Sequence, residues 1–179
     1  MGQFPRLAHL RRNRRDCHER GGRRDGRPGS RQLVIAVADT SGIIAASDRN
    51  ARESAACREV LQQAGTVIIS PLVLTEVDHL AKARFGSRAR TATIDFVIAQ
   101  AQQMRFQIPE TGLELLNTAR LVQKQYASLD LDLADAVNVG LAAQYRTDAM
   151  LTLDRREFRA VHPLTPHKRF RLLPDDLDQ

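Results

Sequence analysis

The sequence predicts a three-layer α/β/α domain built on a central parallel sheet of four or five strands. Two observations support this fold class. Short runs of apolar and β-branched residues recur along residues 32–179, and such runs are typical of strands that are buried on both faces. Segments of helical periodicity separate these runs. Strands that alternate with helices in this way pair in parallel through right-handed crossovers.

The predicted strands are the short apolar runs that end at a polar residue, a glycine or a proline. The first run holds six consecutive apolar residues before Asp39, where the chain must change direction. The second is rich in β-branched residues and ends before Pro71. An outer strand before Pro174 would make the sheet five-stranded. The predicted strands are residues 33–38, 66–70, 105–109, 149–153 and 168–173.

The predicted helices are the segments with a helical apolar period and recognisable end signals. Gly65 is suited to the C-terminal end of one helix, and Pro71 is suited to the first turn of the next. Thr111 and Asp132 each precede a periodic segment and are suited to the N-cap position. The predicted helices are residues 52–64, 72–84, 87–103, 111–127, 133–145 and 155–158.

Positive charge is concentrated in residues 1–31, which contain ten arginines and three acidic residues. Residues 32–179 contain 17 basic and 18 acidic residues and are close to neutral. We therefore expect two parts, a basic tail at residues 1–31 and a folded domain at 32–179. The tail is rich in glycine and arginine, which predicts disorder. It is either an arm that attracts nucleic acid by neutralising phosphates or a non-native extension from a start codon assigned too early.

Composition excludes several classes of protein. No apolar run approaches the ~18 residues of a membrane span, and the opening residues lack the apolar region of a secretory signal. Cys17 and Cys57 are the two cysteines of the chain, and they cannot build a disulfide framework or a cysteine metal site. We therefore expect a cytoplasmic protein without a membrane partner.

Four acidic residues are predicted to meet at one edge of the sheet. Asp39 and Asp154 each follow a predicted strand, and the carboxyl ends of parallel strands form the edge where α/β folds bind ligands. Glu76 and Asp135 lie in the first turns of predicted helices, whose N-termini point to the same edge. This convergence is the central inference from the sequence.

Each of these acids also has a purely structural interpretation. Asp39 is suited to a turn, and Asp154 is suited to the N-cap of the short helix that follows it. Glu76 could be an ordinary exposed charge, and Asp135 could complement the helix dipole. Asp132 fits a structural role best, as an N-cap three residues before Asp135.

Together, four carboxylates at one edge would repel one another unless they bind cations or have raised pKa values. All four residues are aspartate or glutamate, so the metal ligands would be oxygen atoms and not nitrogen or sulfur atoms. Such sites select hard ions, Mg²⁺ or Mn²⁺. Metal ions held in this way support phosphodiester cleavage, because they bind phosphate and activate water.

Four short segments around these acids resemble the PIN-domain ribonucleases, and among them the VapC toxins of bacterial VapBC toxin–antitoxin pairs. The segments are VADTS around Asp39, LTEV around Glu76, LADA around Asp135 and LTLDRREF around Asp154. The similarity covers about residues 33 to 174 and includes the order and spacing of the segments. It implies a PIN fold and Mg²⁺- or Mn²⁺-dependent cleavage of RNA, with 5′-phosphate and 3′-hydroxyl products. It also implies a homodimer and a VapB-like antitoxin.

The same resemblance assigns the four acids to the catalytic metal site and assigns hydroxyl positions beside them. Thr40 or Ser41, and Thr152, would orient carboxylates or metal-bound water. Asn138 lies one helical turn after Asp135 and shares its face, so it would hydrogen-bond a carboxylate or be a buried amide with a structural role. Arg155 and Arg156 are candidates for RNA binding, with solvated charge as the alternative.

The primary hypothesis is therefore an endoribonuclease toxin that cuts a structured RNA such as tRNA or rRNA with metal-activated water. Two alternatives stay open at this point: a PIN nuclease of housekeeping RNA processing, and a non-catalytic module that binds RNA or protein. The sequence does not identify the RNA target, the antitoxin, the number of metal ions or the geometry of the oligomer.

Overall fold

The computed structural model describes residues 35–177. The predictions for residues 1–31, and the start of the first predicted strand, lie outside the described residues. Five strands form one parallel sheet. In chain order they are β1 (Ile35–Ala38), β2 (Thr66–Ile68), β3 (Phe106–Gln107), β4 (Ala149–Leu151) and β5 (Arg171–Leu173).

Seven α-helices connect the strands of the described chain, and a short 3₁₀ helix at Ala127–Leu129 precedes the sixth of them. The α-helices are α1 (Thr40–Ser47), α2 (Ser54–Gln63), α3 (Pro71–Phe85), α4 (Ser87–Gln102), α5 (Leu113–Gln125), α6 (Leu133–Gln144) and α7 (Arg155–Ala160).

The order of strands in the sheet is β3-β2-β1-β4-β5, so β1 lies at the centre. It pairs with β2 on one side and with β4 on the other, both in parallel. The register places Ala38, the last residue of β1, opposite Leu151, the last residue of β4. The residues that follow these two strands therefore begin as neighbours at the carboxyl edge.

The sheet separates two hydrophobic cores, because successive residues of a strand point to opposite faces. Ala36 and Ala38 of β1 belong to the core that packs under α1 to α4. Val37 of β1 belongs to the core that packs under α5, α6 and α7. Helices thus cover both faces, and the predicted three-layer α/β/α architecture with a five-stranded parallel sheet is confirmed.

Several predicted strands are shorter in the structure than expected, and three further differences concern the ends of helices and the position of Asp154. Residues 40–47 form helix α1 instead of a simple change of direction, with Asp39 as its N-cap. Gly112, and not Thr111, occupies the N-cap of α5, without a side-chain capping bond. Strand β4 ends at Leu151, so Asp154 lies three residues beyond the strand and not directly after it.

Two predictions from composition concern residues that the structure describes. Within residues 35–177, none of the helices has the combination of length and apolar character that a bilayer crossing requires. Cys57 is a free thiol buried in α2. Burial, together with the nearby charges of Glu53 and Asp175, raises the pKa of this thiol to about 11.

Helix α1 packs closely against the end of β4 because Gly42 has no side chain. A Cβ atom at this position would lie 2.6 Å from Cγ and 2.7 Å from the backbone oxygen of Leu151. That oxygen cannot move aside, since it accepts a hydrogen bond from the backbone N–H of Asp39 at 2.9 Å.

We expect Gly42→Ala to lower the free energy of unfolding by about 1–3 kcal/mol, the usual cost of overpacking against a rigid neighbour. Gly140→Ala in α6 is the matched control, because its Cβ would meet a side-chain methyl of Leu115 at 2.7 Å. That methyl can rotate away, and alanine favours the helix by up to ~1 kcal/mol. Urea unfolding of both variants measures the difference. An equal effect at the two glycines would contradict the rigid contact with Leu151.

Candidate active site

Asp39 is a buried carboxylate at the centre of the candidate site. It follows β1, and its side chain is 3% exposed. Its Oδ2 accepts hydrogen bonds from the hydroxyls of Ser41 at 2.7 Å and Thr152 at 3.0 Å, and from the backbone N–H of Ser41 at 3.3 Å. Its Oδ1 accepts from Nδ2 of Asn138 at 3.3 Å. Four neutral donors thus take the place of water around this charge.

The two hydroxyls that hold Asp39 also hold the turn after β4. The oxygens of Ser41 and Thr152 lie 3.1 Å apart, and both hydroxyls lie within hydrogen-bonding distance of Asp39 Oδ2. As acceptors, Ser41 Oγ receives the backbone N–H of Leu153 at 2.9 Å, and Thr152 Oγ1 receives that of Asp154 at 3.0 Å. The position of the Asp154 backbone is therefore tied to the Asp39 carboxylate.

Asp154 occupies the N-cap position of α7, but its side chain makes no capping hydrogen bond. Partial burial is the main cause that raises the pKa of its carboxyl group, and the negative charge of Asp39 adds to the rise. A hydrogen bond with Ser41 opposes it. Asp154 thus occupies the N-cap position that the structural interpretation expects. Its side chain, however, does not cap the helix.

Asp135 lies in the first turn of α6 and is half-buried. Burial raises the pKa of its carboxyl group to about 8, and the negative charges of Asp132, Asp39 and Asp154 contribute in that order. Asp132 is the N-cap of α6, and its carboxylate accepts the backbone N–H of Asp135 at 2.8 Å. The expected capping role of Asp132 is confirmed.

Glu76 lies in the second turn of α3 and reaches the site through one hydrogen bond. Its Oε2 accepts from the hydroxyl of Thr40 at 2.7 Å, and Thr40 directly follows Asp39 in the chain. Glu76 is not among the main charges that raise the pKa of Asp135 or Asp154. The three aspartates therefore form the closer group, and Glu76 is linked to it through the start of α1.

Arg155 and Arg156, the residues expected to bind RNA, are both in ion pairs. The guanidinium of Arg155 binds both carboxylate oxygens of Asp175, with Nη2 to Oδ1 at 2.9 Å. This contact lowers the pKa of the Asp175 carboxyl group. Arg156 contacts Glu157 at 2.8 Å. Neither side chain is a free cation beside the aspartates, and their role in RNA binding stays a prediction.

A contact that the sequence did not predict connects α7 to the turn after β5. Arg159 donates two hydrogen bonds to Asp176, at 2.7 and 2.8 Å. Asp176 also accepts the backbone N–H of Leu172 at 2.8 Å and is 4% exposed. The two acids after Pro174 look like ordinary surface charge in the sequence, and no local pattern could have revealed these partners.

The chemistry of these donors fits a hard divalent cation. Asp39, Asp135 and Asp154 supply oxygen atoms, and burial and their mutual repulsion raise two of the three pKa values. The Oδ1 atom of Asn138 is buried and has no hydrogen-bond partner. Within the described part of the chain, however, no three Asp, Glu, His or Cys side chains lie close enough together to hold a metal ion. Binding a cation would therefore require at least one carboxylate to rotate.

The raised pKa of Asp135 predicts that, without divalent ions, part of the protein's stability is lost as the pH rises. The folded protein keeps this proton up to about pH 8, whereas the unfolded chain releases it near the ordinary aspartate pKa of 3.8. The contribution is complete below the lower value and disappears as the pH approaches the upper one. Asp135→Asn removes this titration, so its stability relative to wild type should rise between roughly pH 5 and pH 8, by up to about 4 kcal/mol at 1.36 kcal/mol per pH unit.

Urea unfolding in EDTA across this pH range measures the relative stability. Asp95→Asn, which changes an exposed carboxyl group on α4, is the control and should follow the wild-type curve. An Asp135→Asn curve parallel to wild type would show that Asp135 has no raised pKa.

Comparison with known proteins supports the assignment of the fold and the family. The model of the PIN domain family matches residues 36–162, which is more than half of the chain. Ribonuclease VapC26 of Mycobacterium tuberculosis is 35% identical over 130 residues, which cover 72% of this chain and 93% of the relative.

Two solved structures share the fold at low sequence identity. The Mycobacterium tuberculosis VapC20 toxin, described as cleaving the sarcin-ricin loop, has a TM-score of 0.58 and 17% identity, covering 66% of this chain and 89% of that one. VapBC2 of Rickettsia felis, bound to a DNA fragment from the promoter, has a TM-score of 0.56 and 14% identity, covering 78% and 98%. The family match and the identity to a VapC relative together show that the chain belongs to the PIN-domain family and, within it, to the VapC proteins.

Proposed function

We propose that the protein is a Mg²⁺- or Mn²⁺-dependent endoribonuclease and the toxin of a VapBC-type toxin–antitoxin pair, acting in the cytoplasm. The observation that carries the proposal is the buried Asp39 carboxylate with Asp135 and Asp154 as its acidic neighbours, with no salt bridge to any of the three from a basic side chain among the described residues. Such a group of oxygen donors is stable as an anionic cluster only when a cation or protons compensate its charge.

Asp39, Asp135, Asp154 and Glu76 are the residues that would hold one or two divalent ions. Bound there, the ions would activate water for attack on the phosphodiester and neutralise charge on the leaving oxygen. The side chains of this protein hold the carboxylates in position. Hydroxyl donors fix Asp39 in one orientation, and Thr40 fixes Glu76.

The polar neighbours of Asp39 have positioning roles in this proposal. Ser41 and Thr152 hold the Asp39 carboxylate in one orientation through hydrogen bonds to its Oδ2, and they hold the backbone of Leu153 and Asp154. Asn138 fixes the second oxygen of Asp39. No side chain is needed as a covalent nucleophile, since water is the attacking group.

The relatives support the choice of substrate and antitoxin partner in this proposal. VapC20 is described as cleaving the sarcin-ricin loop, an RNA structure, and a structured rRNA or tRNA is accordingly the proposed substrate here. The Rickettsia neighbour is a VapBC complex, so a VapB-like antitoxin is the proposed partner, together with a homodimer of this chain. Cleavage would leave 5′-phosphate and 3′-hydroxyl ends.

A groove of about 680 Å³ between α1, α2 and α4 supports the antitoxin as a partner. Apolar side chains line it together with three arginines, and none of the described lining residues is acidic. A segment of the antitoxin that presents apolar and acidic side chains would complement this surface. The lining includes Ile43, Leu61, Phe96, Val97, Arg49, Arg58 and Arg105.

We expect Asp39→Asn to lower RNA cleavage by a factor on the order of a hundred or more, because the amide removes the central negative charge that would hold a metal ion. Gel analysis of total RNA incubated with the variant in Mg²⁺ measures cleavage, and circular dichroism checks that the fold is intact. Asp95→Asn is the control and should cleave RNA like wild type. Undiminished cleavage by a folded Asp39→Asn protein would reject the proposed site.

We also expect EDTA to stop cleavage by the wild-type protein and Mg²⁺ or Mn²⁺ in excess to restore it, because the proposed reaction uses the bound ion to activate water. The same ions should raise the thermal midpoint, because binding to the folded state alone stabilises it. The Asp39→Asn protein should show little of this rise. RNA that is bound but never shortened under any of these conditions would favour a non-catalytic binding module.

A further inference from the structure

The junction of α3 and α4 carries an exposed group of cations that the site described above does not use. The two helices meet at Gly86, which has a positive φ of 84° that suits glycine. Lys82 and Arg84 lie in the last turn of α3, and Arg88 lies in the first turn of α4. All three side chains are exposed. These three residues are called the junction cluster below.

The charge of the junction cluster is not compensated locally. The sequence contains no acidic residue between Asp78 and Asp95. The nearest acid on α3, Asp78, is already paired with Arg90 of α4 at 3.6 Å. Among residues 35–177, none of the acidic side chains forms an ion pair with a member of the junction cluster. Three positive charges without an ion pair thus lie within a segment of seven residues, in a domain whose overall charge is close to neutral.

The arginines near the aspartates behave in the opposite way. Those on α7 and β5 are all bound to carboxylates of this chain, so a phosphate would have to displace an existing partner. The pairs are Arg155 with Asp175, Arg156 with Glu157, Arg159 with Asp176 and Arg171 with Asp148.

The position of the junction cluster relative to the acids favours a shared ligand. Arg84 follows Glu76 by eight residues on α3, which corresponds to about 12 Å along the helix axis. It also continues the row of buried residues Val73, Val77 and Ala81, which lie on one face of the helix. Arg84 itself is exposed, so its guanidinium is accessible to a ligand that also reaches Glu76 at the start of the same helix.

We propose that the junction cluster binds the phosphate backbone of the RNA substrate a few nucleotides from the position of cleavage, with Arg84 as the nearest contact to the acids. The inference rests on the proposed ribonuclease function. A neutral body with an acidic site offers little long-range attraction for RNA, and free cations attract phosphates through the release of counterions. They position the chain of phosphates without reading its sequence.

The test compares Arg84→Gln/Arg88→Gln with the matched control Arg52→Gln/Lys124→Gln. The control removes two exposed cations elsewhere on the domain, so both double variants have the same net charge. The full chain is used, and the basic residues at 1–31 are present in every variant, so their contribution cancels in the comparison. Fluorescence anisotropy with a short labelled single-stranded oligoribonucleotide in EDTA measures affinity at several salt concentrations. Steady-state cleavage in Mg²⁺ measures kcat and KM separately.

We expect the junction variant to lose about tenfold in affinity at low salt. Its log Kd against log salt slope should fall by about 1.4, because each phosphate contact of a single strand contributes about 0.7. KM should rise by a similar factor while kcat stays near the wild-type value. The control variant should retain the wild-type slope and KM.

Other outcomes overturn the inference in distinguishable ways. If wild type cuts RNA and the junction variant keeps its slope and KM, the junction does not contact RNA, and an anionic protein partner becomes the better candidate for this surface. A fall in kcat at unchanged KM would show an effect on the acids and not on binding. Failure of the wild-type protein to bind or cut RNA would reject the proposed function together with this inference.

Discussion

The structure depends on keeping one negative charge, that of Asp39, inside the protein without a cationic side chain bonded to it. Moving a carboxylate out of water costs several kcal/mol unless hydrogen bonds replace the lost solvation. Here the replacement comes from donors on three separate elements: the start of α1, the segment after β4 and helix α6. These three elements therefore pack around a single side chain. A change in the position of any one of them would remove a hydrogen bond from the Asp39 carboxylate.

Most of the fold could be predicted from the sequence because its strands are continuous apolar runs with clear ends. Helix α1 could not, and the reason is physical. Ile43, Ile44, Ala45 and Ala46 are all buried, so this helix lies inside the protein on most of its surface and shows no polar face. Periodicity detects helices that separate a core from solvent. The available signal is the aspartate that caps α1, but in the sequence Asp39 fits equally well a metal ligand or a turn residue at the end of a strand.

The convergence of the acids could be predicted for a related reason, since parallel strands bring their carboxyl ends to one edge whatever the length of the connections. What the sequence could not provide was the distribution of partners. The contact of Ser41 with Leu153 joins residues 112 positions apart, and that of Arg155 with Asp175 joins residues 20 apart. Contacts between distant residues determine whether an acidic side chain neutralises a given arginine. The candidates from the sequence, Arg155 and Arg156, are both paired with acids of this chain, whereas the exposed cations at the junction of α3 and α4 form no ion pair with a described acid.

The segment that completes the acidic edge is also the one that is translated last among the described residues. The backbone oxygen of Leu173 accepts the N–H of Thr152 at 3.1 Å, and Asp175 and Asp176 hold the helix that begins after Asp154. A growing polypeptide on the ribosome can already contain all four acids and still lack these supports. The acidic edge therefore reaches its final form only when residues 171–176 have been synthesised and have paired with β4 and α7.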